Sequence, residues 1–230
     1  MQYQQLRNGV MISRPDGFSS YAQAIARAFI CQENEAAAAS LPRARRHWLP
    51  DVLHLANTCF KGQKMLIVFS GLPGTGKTTI AQQLVATTSC VYLRIDTIEQ
   101  ALRNSGTLAQ GVGRSGYEVA NELALSNLRL GKTVIADCVN PVTERRAAWR
   151  ETASTASVQL LNVEVICSDA DEHRRRVESR RGDIPGLTPP TWQSVLAHEY
   201  EPWAEARVCI DTAMVSAAQA VSLIMEFAYR

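Results

Sequence analysis

The sequence predicts an α/β protein with a parallel sheet covered on both faces, and three observations carry that prediction. From residue 65 onward apolar runs alternate with stretches of helical periodicity. The runs LIVFS, TVIAD, LLNVEVIC and RVCID are continuous apolar blocks without a polar alternation, as strands buried on both faces require. The first run ends in Gly71-Leu72-Pro73-Gly74-Thr75-Gly76-Lys77-Thr78-Thr79, a GxxxxGK(S/T) spacing set between a strand and an amphipathic helix.

In chain order the pattern gives a strand over 65–70, a helix over 77–88, a strand over 91–95, and helices over 97–104 and 116–130. A strand over 133–137, a helix over 143–155 and a strand over 158–167 follow, then helices over 169–181 and 190–199, a strand over 207–211 and a helix over 216–229. In the helix from Glu118 to Leu130, the apolar Val119, Leu123, Leu125, Leu128 and Leu130 read as core. There is no internal repeat.

The chain changes character near residue 64. Residues 1–64 hold eight Lys or Arg against four Asp or Glu, whereas the remainder holds 16 against 18. Ser19-Ser20 followed by Tyr21, Ile25, Ala28 and Phe29 predicts a helix running into Ala36–Ala39, and Asp51 to about Cys59 a second. The expected division is therefore a basic helical extension, 1–64, and a main domain, 65–230. Arg43, Arg45 and Arg46 read either as a contact for nucleic acid or a partner, or as a solvated linker. Met65 stands directly before the first strand, so translation beginning there would make the extension non-native; the native N-terminal peptide, detected by mass spectrometry, decides this.

Net charge is +2, too balanced for a coat on nucleic acid or an anionic membrane, so phosphate binding must be local. No window approaches 18 consecutive apolar residues and the N-terminus lacks a signal peptide's apolar run; a cytoplasmic protein is expected. Cys31, Cys59, Cys90, Cys138, Cys167 and Cys209 never form a CxxC pair, and reduced thiols follow, with Cys90, Cys167 and Cys209 as small hydrophobes in strand-like runs.

The glycine-rich turn carries the clearest chemistry. Its glycines let consecutive backbone N–H groups converge on the α- and β-phosphates of a nucleotide, and the following helix N-terminus adds partial positive charge. Lys77 reaches the β- and γ-phosphates and the Thr78 hydroxyl ligates Mg²⁺. Residues 71–79 are thus the expected cradle of a nucleoside triphosphate, and the fold is expected to be a three-layer P-loop fold with a five-stranded parallel sheet and a small helical lid.

Ligands in open α/β sheets sit at the carboxyl ends of the strands. Asp96 follows Val91-Tyr92-Leu93-Arg94-Ile95, and Asp137 ends Thr133-Val134-Ile135-Ala136. A carboxylate beside the γ-phosphate can accept a hydroxyl proton, and one at a neighbouring strand end can hold Mg²⁺. Asp96 is read as the base and Asp137 as the metal ligand; the alternative for Asp96 is a cap on the helix TIEQAL. On the helix His173–Arg181, Arg176 and Arg180 share one face, and such a pair can close over a nucleotide and neutralise the transferring group; the alternative is a solvated basic helix. Between the second and third strands, Gly111-Val112-Gly113-Arg114-Ser115-Gly116-Tyr117 reads as a loop entering a helix, with Arg114 and Tyr117 as candidates for acceptor contact.

GLPGTGKTT, YLRID, ADCVNPVTERRAAW and RRRVESRRGDIPG together resemble the P-loop AAA-type kinases, a group that includes zeta toxins, chloramphenicol phosphotransferase and polynucleotide 5′-kinases; the resemblance covers about residues 65–230. It implies ATP with Mg²⁺, a base at Asp96, and lid arginines at Arg176 and Arg180. The ADCVN stretch is similar to the polynucleotide kinase pattern of an aspartate followed by an asparagine, which implies active-site roles for Asp137 and Asn140. Polynucleotide kinases carry an arginine three residues beyond the base, and this chain has Glu99 there, which argues against a nucleic-acid acceptor.

The expectation is an ATP-dependent phosphotransferase acting on a hydroxyl of a small molecule, with Lys77, Asp96 and Arg180 as its catalytic groups. The alternative is a nucleotide-dependent switch or toxin–antitoxin component whose protein partner binds residues 1–64.

Overall fold

A computed structural model describes residues 4–6, 10–12, 64–106 and 111–228. The predicted helices over 19–39 and 51–59, Cys31, Cys59 and the cluster Arg43, Arg45 and Arg46 lie outside the described residues. The main domain follows the expected succession: β3 (Met65–Ser70), α1 (Lys77–Ala86), β4 (Val91–Arg94), α2 (Ile95–Ser105), α3 (Ser115–Arg129), β5 (Val134–Asp137), α4 (Thr143–Thr155), β6 (Gln159–Ile166), α5 (Ala170–Ser179), α6 (Trp192–Leu196), β7 (Val208–Asp211) and α7 (Ala217–Ala228). Ahead of it lie β1 (Gln4–Leu6) and β2 (Val10–Ile12), which the sequence reading did not anticipate.

The sheet order is β1-β2-β7-β6-β3-β5-β4. The five strands from β3 to β7 are all parallel, as predicted. β2 pairs antiparallel with β7, opposing Met11 to Cys209, and β1 pairs antiparallel with β2. β3 lies between β5 and β6; the connection leaving β3 crosses to β4 on one side and the one leaving β5 crosses to β6 on the other, so the glycine-rich turn after Ser70 stands at the switch point of the sheet. That is the crevice in which an open α/β sheet binds its ligand.

The continuous apolar run of β3 is explained by its two faces. Met65, Ile67 and Phe69 pack with Ile80 and Leu84 of α1 and Ala220 and Ile224 of α7. Leu66 and Val68 pack with Tyr117, Ala120, Ala124 and Leu128 of α3 and Trp149 of α4. Each fully buried Leu, Ile or Phe side chain contributes about 1.5–3 kcal/mol relative to exposure.

Two expectations change. The buried face of α3 is Tyr117, Ala120, Ala124 and Leu128, while Val119, Leu123 and Leu130 are exposed. The alanines explain this, because two small side chains a turn apart let the helix lie close against the sheet, and the larger leucines are turned outward. The lid helix ends at Ser179, so Arg180 is extended backbone beyond it (φ −63°, ψ 125°) and shares no helical face with Arg176. Among the described residues no helix is long and apolar enough to cross a membrane.

Candidate active site

The turn after β3 is shaped by backbone conformations that favour glycine. Gly71, Gly74 and Gly76 have φ of 136°, 85° and 95°. A Cβ on Gly71 would stand 2.1 Å from the Val165 carbonyl oxygen, so close approach to β6 requires glycine there. Lys77 opens α1 and is 7% exposed; its Nζ donates to the Leu72 carbonyl at 2.8 Å, bending back over the turn. Burial pushes the Lys77 pKa down, and the charges of Asp137 and then Asp96 oppose that shift. The predicted cation and both predicted carboxylates are therefore electrostatically coupled at the ends of adjacent strands.

Asp96 lies in the first turn of α2, which begins at Ile95 with Arg94 in the capping position and no side-chain cap. Its carboxylate is not spent on the helix; its ion pair is with Arg94 Nη2, at 3.9 Å, and its side chain is 39% exposed. Asp137 is buried at the end of β5, where the Tyr92 hydroxyl donates to Oδ2 at 2.8 Å. Burial, followed by the Asp137 charge, raises the Tyr92 pKa and keeps that hydroxyl a donor. The other carboxylate oxygen of Asp137 and the Thr78 hydroxyl are hard donors of the kind Mg²⁺ takes. That ion keeps several waters and needs only one or two protein ligands beside phosphate oxygens, so this donor set fits it.

Asn140 is fully buried behind the glycine-rich turn, with φ at 51°. Its Nδ2 donates to Ser70 Oγ at 3.0 Å and its backbone N–H donates to the Tyr117 hydroxyl at 2.9 Å. Gly71 N–H donates to Val139 O at 3.0 Å. Asn140 and Tyr117 thus form a buttress under the turn in place of the substrate-facing surface expected of them. Arg146, part of the ADCVNPVTERRAAW resemblance but given no role there, completes it: the buried guanidinium donates to the carbonyls of Asn140, Pro141, Glu201 and Pro202 and lies over the Trp203 ring.

Arg114 is not brought to this centre. It is exposed, pairs with Glu144 at 2.7 Å, and borders an open groove of about 710 Å³ between α3 and α4. Among the described residues lining that groove, none belongs to the glycine-rich turn, the end of β4 or the lid. Arg145, from the same stretch as Arg146, lies 4.1 Å above the Tyr117 ring.

The lid docks onto the turn through contacts distant in sequence. His173 Nε2 is 2.8 Å from Pro73 O; a carbonyl only accepts, so this nitrogen carries the proton. The His173 ring meets Trp192 edge-on. Arg176 donates to Glu172, to Thr212 Oγ1 and to Thr212 O, and Thr212 Oγ1 donates to Thr75 O, so Arg176 anchors α5 beside the cradle. Arg174 and Arg175 are exposed and pair with Glu178 and Glu172. Arg180 is the freer lid arginine: it lies 3.6 Å from Asp183 and its charge is felt at Lys77. Exposed His198, missed from the sequence, feels the Lys77 charge; partial desolvation and then that charge push its pKa down.

A family model described as an AAA domain matches residues 66–189, more than half of the chain. No curated protein sequence matches it. Among solved structures it is similar to a gluconokinase from Sinorhizobium meliloti 1021, at 18% identity and a TM-score of 0.50 over 74% of this chain and 92% of that one. A sugar kinase from Janibacter sp. HTCC2649 gives 19% identity and a TM-score of 0.51 over 70% and 91%. The APS kinase of Mycobacterium tuberculosis, in complex with AMPPNP and APS, gives 17% and 0.50 over 70% and 95%. At such identities the likeness is one of fold.

Proposed function

We propose, from the premise that this chain belongs to the P-loop AAA-type kinase family, that it transfers the γ-phosphate of Mg·ATP to a hydroxyl of a small molecule. The observation that carries the reading is the buried Lys77 coupled to two carboxylates, Asp137 and Asp96, at neighbouring strand ends. The backbone N–H groups of residues 71–79 hold the phosphate chain, and Lys77 leaves Leu72 O to meet the β- and γ-oxygens. Thr78 and Asp137 would hold Mg²⁺, which neutralises phosphate charge when bound. Asp96, whose carboxylate is partly exposed and stands 3.9 Å from Arg94 Nη2, takes the acceptor hydroxyl proton as the oxygen attacks phosphorus and the bond to ADP breaks. Arg180 faces the charge spread over the transferring group. Arg176 keeps α5 seated on the cradle.

The test is Mg·ATP consumption against pooled small-molecule alcohols, with mass spectrometry for a product heavier by one phosphoryl group. Asp96→Asn is expected to spare ATP affinity and lower kcat by about 10²–10⁴-fold. Transfer at the wild-type rate in that variant would remove Asp96 from the chemistry.

A further inference from the structure

The proposed reaction leaves one buried cation at the strand ends without a part. Arg94 closes β4 two residues before Asp96, and its side chain is 7% exposed. Nη1 donates to Asp183 Oδ2 at 2.5 Å and Nη2 to Asp183 Oδ1 at 3.1 Å, a two-point fork. Nε is buried and has no partner among the described residues. A buried guanidinium needs a counter-charge, and here it comes from a residue 89 positions away on the turn-rich segment Gly182–Gly186, 47% exposed. The cation is thus fixed on the sheet while its anion is borrowed from the surface.

We propose that Arg94 is the subsite for an anionic group on the acceptor, and that Asp183 is a built-in stand-in that occupies the fork until the acceptor replaces it. The two-point geometry is the one by which a guanidinium takes a carboxylate, a sulfate or a phosphate. The Asp96 carboxylate 3.9 Å from Nη2 puts the base beside the bound anion, so an acceptor held at Arg94 presents a nearby hydroxyl to Asp96. Displacement does not strand Asp183, which is partly exposed and 3.6 Å from Arg180. The acceptor class that follows is a small alcohol carrying a carboxylate, sulfate or phosphate. This rests on the kinase reading for the word acceptor; anion binding at Arg94 does not.

The experiment separates the two. The full chain is first saturated with Mg·AMPPNP, so that the glycine-rich turn is filled, and then titrated with inorganic sulfate by calorimetry at constant ionic strength. Asp183→Asn, which empties the fork, is expected to bind sulfate about tenfold more tightly than wild type. The gain should vanish in Asp183→Asn/Arg94→Lys, which keeps the charge and loses the fork; melting curves confirm that each variant is folded. Equal affinity in wild type and Asp183→Asn, or a gain that survives Arg94→Lys, would make the pair a structural tie and overturn the proposal. In the acceptor pools, Arg94→Lys is expected to raise the KM for an anionic alcohol about tenfold or more with the KM for ATP unmoved. Turnover confined to neutral alcohols would also overturn it. If no pool yields product, the kinase reading falls while the sulfate titration still decides the fate of the subsite.

Discussion

Two charged residues around the site make opposite electrostatic demands, and each gives a prediction. Lys77 is a buried ammonium whose pKa is pushed down by burial, so filling the site with phosphate oxygens relieves a desolvated cation that Asp137 and Asp96 compensate only from a distance. Lys77→Ala is therefore expected to weaken Mg·ATP binding by about 10²-fold, read by calorimetry, with little loss of melting temperature. Asp183 is held below the usual carboxylate range, first by its hydrogen bonds from Arg94. A carboxyl whose folded pKa is depressed contributes stability above its unfolded pKa, about 3.9, and loses it as pH falls through the folded value. Asp183→Asn should thus melt lower than wild type at pH 7, by roughly 1 kcal/mol because Asp183 is partly exposed. The two melting curves should converge as the pH falls through the lowered Asp183 pKa. A difference unchanged by pH would mean that the pair's charge does not stabilise the fold.

The glycine-rich turn is held from beneath by the loop after β5 and from the side by the lid helix, and its tolerance to change follows from those contacts. Gly71→Ala drives a Cβ into the Val165 carbonyl at a φ of 136°, and should cost about 3 kcal/mol or more in urea unfolding. Gly113→Ala is the control: its φ is 51° but nothing lies within 4 Å of the added carbon, so about 1 kcal/mol is expected. Equal costs at the two positions would mean that backbone strain, and not the approach to β6, decides. Much of this element was legible. The turn's spacing, the strand on one side and the helix on the other were all in the local pattern, and the β5 loop was found through its aspartate and asparagine. What was not legible joins residues far apart: His173 on Pro73, Arg176 on Thr212, Arg146 on four carbonyls. A side chain's length and charge do not say which backbone oxygen it will meet across the fold. The end of the lid helix at Ser179 was missed because Arg180 and Arg181 are good helix formers, and the segment beyond it is tied to β4 by the pairing of Asp183 with Arg94, a contact 89 positions apart.

At the scale of the molecule, the parallel strands run continuously apolar because helices cover both faces, which made the five-stranded core predictable. The antiparallel pair of β1 and β2 escaped because each strand has three residues, too few for a period, although the sequence between them holds Asn8-Gly9, a hairpin signal. Its place in the sheet gives the last prediction. Both apolar clusters, as far as the described residues go, are built from residues 65–228. β2 nevertheless occupies the outer edge of β7, whose Val208, Cys209 and Ile210 side chains are buried. Removing residues 1–63 should leave a folded domain that still binds Mg·ATP with near-native affinity. It should also uncover a row of unpaired backbone groups on β7, and exposed strand edges invite pairing with another chain. The truncated protein is thus expected to self-associate with rising concentration in sedimentation velocity, and Ile210→Lys is not the cure, since that side chain is in the core. A proline at Cys209 tests the edge itself, because it removes a backbone donor there. A truncated chain that stays monomeric at every concentration would show that β2 does not guard the edge, and one that fails to fold would show that residues 1–63 belong to the core.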